Sequence, residues 1–145
     1  MKETQVHPWI RERLPRDCHV VRMETHMSPG VPDLNICWRG REYWMELKVS
    51  KENLDNGRIP LIVREAQVAW IRRGVACGRT IFLVVAVEMH KEPIRVFFMN
   101  AKVYDSEPWM TRDQLHASSL FSQVWSDKST LANLLDKGIK PWDHA

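Results

Sequence analysis

The chain lacks any uninterrupted apolar run near the 18 residues that a membrane-crossing helix needs. Its opening, Met1 to Gln5, is polar and has no apolar core of the kind a secretory signal carries. Cysteine is scarce: Cys18, Cys37 and Cys77 are odd in number and show no CxxC spacing. That argues against a disulfide framework and against a zinc site, so the three are expected as reduced packing thiols in a cytoplasmic protein. There is no internal repeat, no low-complexity tract and no evident linker. A strong excess of one charge is also missing, since 21 basic and 18 acidic side chains leave a net charge of +3. Such a balance permits a nucleic-acid partner without demanding one, because phosphate binding depends on where the charge sits.

What is present suits a folded protein. The 145 residues, 44% of them hydrophobic and 27% charged, fit one ordinary domain with a real core. Seven tryptophans are expected mostly in the core or an interface. Apolar spacing predicts a short helix over 7–14, with Pro8 in its first turn and Pro15 ending it. Alternation predicts strands over 19–26, 33–38 and 42–49. Residues 53–60 read as a mobile loop turning at Asn56-Gly57, and 61–73 as a helix stopped by Gly74. "TIFLVVAV" (80–87) is apolar on both faces, as a central strand is, and 94–99 is a further strand. Helices are expected over 112–124 and over 129–137, the second stopped by Gly138. The expected class is α/β: a single domain over 1–145, with a core over about 1–100 and a helical C-terminal part over about 105–145.

The stretch "GVPDLNICWRGREYWMELK" (30–48) carries the chemistry. A hairpin closing on a two- or four-residue loop around Arg39-Gly40 sets Asp33 opposite Glu46, with β-carbons about 5 Å apart. Two carboxylates at that distance repel by about 3 kcal/mol at an effective dielectric near 20. Such a pair either shares a proton or binds a cation, and oxygen ligands suit a hard ion such as Mg²⁺ or Mn²⁺. Lys48, two residues beyond Glu46, falls on the same strand face. The plain alternative is a turn-end aspartate and two solvated strand residues.

Pro32-Asp33 with Glu46-Leu47-Lys48 resembles the signature of the PD-(D/E)xK nuclease superfamily. The Gly-Val-Pro-Asp-Leu opening, the short hairpin and a following helix bearing Gln67 look most like virus-type replication-repair nucleases and Holliday junction resolvases, phage versions included. The resemblance covers about residues 23–87. It implies a restriction-endonuclease-like core, with a central mixed β-sheet flanked by helices. It also implies a metal-dependent DNA endonuclease using Mg²⁺, with Mn²⁺ substituting, and no organic cofactor. Asp33 and Glu46 would bind the ion with the backbone carbonyl of Leu47, and the ion would activate a water and polarise the phosphate. Lys48 would position that water or balance charge, and Gln67 would lie near the pocket. The further acid that such enzymes often carry would be Glu24, with Glu3 and Glu12 as alternatives. His26 could meet a phosphate.

Arg39, Arg41, Lys51, Arg58 and Arg64 are expected to flank the pocket and hold DNA phosphates. Branched DNA is the expected partner. A junction needs two symmetric cuts, so a homodimer is expected, with Trp125, Leu131 and Leu134 as candidate interface residues or else core. A nickase, a flap endonuclease and a non-catalytic DNA-binding module are the other readings.

Overall fold

The computed structural model describes residues 1–23, 29–105 and 108–137. Helix α1 (Glu3–Arg13) starts a turn earlier than predicted and carries Pro8 in its interior. It buries Val6, Trp9 and Ile10. At about 1.5–3 kcal/mol each, those side chains outweigh the roughly 3 kcal/mol that an internal proline costs. Strands β1 (His19–Arg22), β2 (Leu34–Trp38) and β3 (Arg41–Lys51) follow, then the two-residue β4 (Ile59–Pro60). Next come α2 (Glu65–Ala76), β5 (Thr80–Glu88), β6 (Arg95–Asn100) and a 3₁₀ turn (Ala101–Asp105). β7 (Trp109–Met110), α3 (Arg112–Ser118), β8 (Ser119–Val124) and α4 (Ala132–Lys137) complete the order.

Among the described residues, six strands form one mixed sheet in the order β1-β2-β3-β5-β6-β8. Only β3 and β5 run parallel, and α2 is the crossover between them. This is the α/β arrangement, a central mixed sheet flanked by helices, expected of a restriction-endonuclease-like core. One sheet face, with Leu34, Ile36, Tyr43, Met45 and Leu47, packs against α1 and α4. The other face lies under α2 around Trp44, Ile71 and Ile81, and under α3 around Leu83, Val85, Phe97 and Leu115. β5 is covered on both sides, and Ile81 to Val87 are all buried, as its unbroken apolar run predicts.

Several expectations need correction. Residues 119–124 form an edge strand antiparallel to β6 rather than the end of a helix over 112–124. The region beyond 105 is therefore not simply helical. Backbone groups along β6 needed a second partner strand, and that demand overrides a weak local pattern. Leu131 and Leu134 are buried in the same core as α1 and offer no dimer surface, while Trp125, partly buried, stacks on Trp9 at 5.3 Å. α2 starts at Glu65, because Arg64 is extended and Leu61 N–H donates to the Pro108 carbonyl. It passes through Gly74, and the chain reverses at Gly78 instead. Cys37 and Cys77 are exposed, not packed; all three thiols are free. Residues 24–26 of the first predicted strand, and Gly138, lie outside the described residues. Among those described, no helix is long and apolar enough to cross a membrane.

Leu135 is fully buried. Leu135→Ala should therefore lower the stability measured in urea by about 2–5 kcal/mol. If α4 were instead a subunit interface, the same change would alter the sedimentation coefficient and leave the monomer's stability nearly untouched.

Candidate active site

The β2–β3 hairpin turns at Arg39 and Gly40, both at positive φ (50° and 76°). A two-residue turn of that kind matches strand twist and sets the predicted register: Leu34 opposes Met45, Asn35 opposes Trp44 and Trp38 opposes Arg41. One step back, Asp33 sits beside Glu46. The Asp33 carbonyl accepts from Met23 N–H at 2.8 Å, and its Oδ2 accepts from Leu47 N–H at 2.8 Å. Both ends of Asp33 are thus pinned to neighbouring segments.

Glu46 lies beneath α2 and is only 1% exposed. Burial raises its pKa most, and Asp33 adds to this both as a like charge and as a hydrogen-bond partner. Lys48 opposes the shift, Glu3 reinforces it, and the outcome is a carboxyl pushed up to about 9. Gln67, also buried, spans the cluster. Its Nε2 donates to Glu46 Oε1 at 3.0 Å and Oε2 at 3.2 Å. Its Oε1 accepts from Lys48 Nζ at 3.2 Å and from Arg64 N–H at 3.0 Å. The neighbours dictate the amide's orientation, since a flip would aim its NH₂ at two donors. Gln67 thereby caps the first turn of α2 and joins Lys48 to Glu46 with one side chain. Gly30 lets α2 approach: a Cβ there would lie 2.1 Å from the Ala66 carbonyl oxygen, and its φ of +88° disfavours any other residue.

On the other side of Asp33 is a cavity of about 110 Å³, lined by Glu3, Thr4 and His7 of α1 with Arg22, Asp33, Leu34 and Leu47. Of the three acids considered as a further ligand, Glu3 borders this cavity, while exposed Glu12 pairs with Arg13 at 3.7 Å. Glu24 and His26 lie outside the described residues. His7 accepts from Arg11 Nε at 3.3 Å. Its pKa is lowered by burial and then by Arg11 and Arg22, with Asp33 acting in the opposite sense. The sequence reading did not single out His7 or Arg22; the i, i+4 spacing of Glu3 and His7 becomes a signal only once the helix is extended past Pro8.

Tyr104 was also missed. Its hydroxyl is buried and has no partner among the described residues, and its pKa is raised by burial and then by Glu46, Asp33 and Glu3. No motif marks it, because the 3₁₀ turn after β6 brings it to the site from a distant part of the chain.

The basic residues separate into two groups. Arg64 adjoins Gln67 at the start of α2. Arg58 stacks on Trp109 at 4.0 Å. Lys51, by contrast, ends β3 five residues or about 17 Å beyond Glu46, so it does not flank the acids. Arg39 and Arg41 do not flank the carboxylates either. They sit at the hairpin tip, five residues or about 17 Å along the strands from Asp33. Arg39 stacks on Trp38 at 4.3 Å, and Arg41 bonds to Tyr43, which points to the sheet face opposite Glu46. Among the described residues, no three His, Cys, Asp or Glu side chains converge as a ready ligand group.

Comparison with protein-family models and with curated proteins gives no match. Among solved structures, the chain is similar to Hjc, a Holliday junction resolvase of Archaeoglobus fulgidus, an archaeal hyperthermophile. Identity is 13%, coverage is 82% of this chain and 94% of that one, and the TM-score is 0.49.

Burial beside Asp33 pushes the folded Glu46 carboxyl up to about 9, above the 4.5 of an ordinary glutamate. The folded state therefore binds more protons within that window, and stability must fall as pH rises through it. In chelator, urea midpoints across the window should decline for the native chain and decline less for Glu46→Gln. Equal slopes would mean that Glu46 ionises as it does in the unfolded chain.

Proposed function

We propose that this chain is a divalent-metal-dependent endonuclease that hydrolyses DNA phosphodiester bonds and selects branched DNA. The observation that carries the proposal is the convergence of Asp33 and buried Glu46 in one cluster that Gln67 ties to Lys48. Burying two acids together is costly unless a proton or a cation joins them. Their donors are hard oxygens, which fit Mg²⁺, with Mn²⁺ as a substitute.

Asp33, Glu46 and the Leu47 carbonyl would hold the ion, with Glu3 or Glu24 as a further acid. When bound, Mg²⁺ supplies Lewis-acid polarisation of a phosphate and a lowered pKa for water. The chain's own residues do the remaining work. Gln67 fixes the Glu46 carboxylate through both oxygens and holds the Lys48 ammonium. From there Lys48 would position the attacking water or offset charge as the phosphorane forms. Arg64 and Arg58, on the segment that leads into α2, would hold the nearby DNA backbone, while Lys51 at one end of β3 and Arg39 and Arg41 at the other would meet it farther away. The preference for branched DNA follows from the resemblance of the Gly30–Lys48 stretch and Gln67 to junction resolvases. Two symmetric cuts call for a homodimer, through a surface other than Leu131 and Leu134.

The test is cleavage of a four-way junction, a flap, a nicked duplex and a linear duplex with Mg²⁺. The junction should be cut fastest. Lys48→Ala should slow cleavage about a hundredfold or more, Asp33→Asn should abolish it, and Gln67→Ala should cost about 10–100-fold. Preferential cutting of the flap or the nicked duplex would reassign the substrate. Binding of DNA without cutting in Mg²⁺ or Mn²⁺, together with no calorimetric Mg²⁺ binding, would make the chain a non-catalytic module.

A further inference from the structure

The segment between β3 and α2 is not the mobile loop that its composition suggests. At its start, Glu52 accepts from Arg112 through both oxygens at 2.6 Å and from His90 N–H at 3.0 Å. That pairing holds its carboxyl down to about 2. The turn closes on itself through Asn53 N–H to the Arg58 carbonyl and Gly57 N–H to the Asn53 carbonyl, both at 2.8 Å. β4 pairs with β7, and Ser50 Oγ donates to the Pro60 carbonyl at 2.6 Å. Its end is anchored where Arg64 N–H meets Gln67.

On this braced arm stands Ile62, 74% exposed and the most exposed large hydrophobic side chain among the described residues. Only Val63 separates it from Arg64, at most about 7 Å of chain. It borders a cavity of about 160 Å³ together with Val68, which follows Gln67, and Tyr104, whose hydroxyl feels the Glu46 and Asp33 carboxylates. Arg58, stacked on Trp109, and Arg64 put cations on the same arm. A rigid scaffold holding an aliphatic group in water, next to cations and beside a site for phosphodiester chemistry, suits a partner with phosphates outside and flat apolar faces within.

We propose that Ile62 is an apolar wedge that packs against base faces laid bare at a branch point, so that the arm selects distorted over continuous duplex DNA. Side chains of this type inserted at a base step unstack it, and backbone cations hold the strand while they do so. The inference rests on the DNA-binding part of the proposed function and names the feature of DNA that is read.

The experiment uses the full chain in chelator, where the DNA stays intact, with a four-way junction carrying 2-aminopurine at the branch. Binding should raise the fluorescence, and Ile62→Ser should lose most of that rise. The affinity ratio of junction to linear duplex should fall about tenfold, in line with the energy of stacking one base. Ile62→Phe should retain the signal. Leu120→Ser, at an exposed site on the distant edge strand β8, should behave as the native chain. Because Ile62 is exposed, the thermal midpoint should not move. An unchanged fluorescence rise and ratio in Ile62→Ser would overturn the wedge. So would a dimer that Ile62→Ser converts to monomers in sedimentation, which would make Ile62 a protein interface. Unstacking by the native chain without cleavage in Mg²⁺ would sink the nuclease reading and leave the wedge standing. Cleavage with no effect of Ile62→Ser would do the reverse, and failure to bind any DNA would remove both.

Discussion

A buried glutamate beside an aspartate is the constraint around which the rest of this molecule is arranged. Glu46 has lost nearly all contact with water and faces Asp33, so its charge must be neutralised or matched. Gln67 is the structural response. One amide satisfies the acid, the neighbouring lysine and the first turn of the helix that covers them. Losing it would leave a buried carboxylate, an ammonium and a helix N–H short of partners together, so helix position and site chemistry are coupled.

That coupling explains the surrounding packing. α2 has to lie close to the segment before Asp33 for Gln67 to reach Glu46, and Gly30 against the Ala66 carbonyl makes that approach possible. Beneath it, β5 is dry on both faces and gives the parallel pair β3–β5 a rigid base. Across the sheet, α1 and α4 share one core, so a C-terminal helix supports the wall from which Glu3 and His7 face Asp33. Farther along β3, the Glu52–Arg112 pair ties the arm carrying Ile62 to α3. The other end of the arm meets the catalytic candidates at Gln67, so the two candidate surfaces share one anchor.

Much of this was legible because its rules are local. Strand alternation and a two-residue turn at Arg39-Gly40 were enough to bring Asp33, Glu46 and Lys48 to one face, whereas only the resemblance to a nuclease family, and no spacing rule, suggested that Gln67 comes near. Failures came where a partner remote in sequence decided the outcome. Residues 119–124 became a strand because β6 had an open edge, and Leu131 and Leu134 became core because α1 lay across from them. The hairpin tip carries Arg39 and Arg41 away from the acids, a consequence of strand length that their charge alone did not reveal.

By itself, the sequence determined the α/β class, the hairpin register and the pairing of two acids with a lysine. The class depends on the order of short periodic segments, and the register and the acid–lysine grouping depend on backbone periodicity and turn geometry over fewer than twenty residues. Only the tertiary structure decided that Glu46 is buried and not solvated, that Gln67 bridges it to Lys48, and that Glu3, His7 and Tyr104 surround the pair. Those outcomes depend on which helix covers which face of the sheet. That choice is made by burying apolar surface contributed from both ends of the chain, and no short stretch of residues contains it.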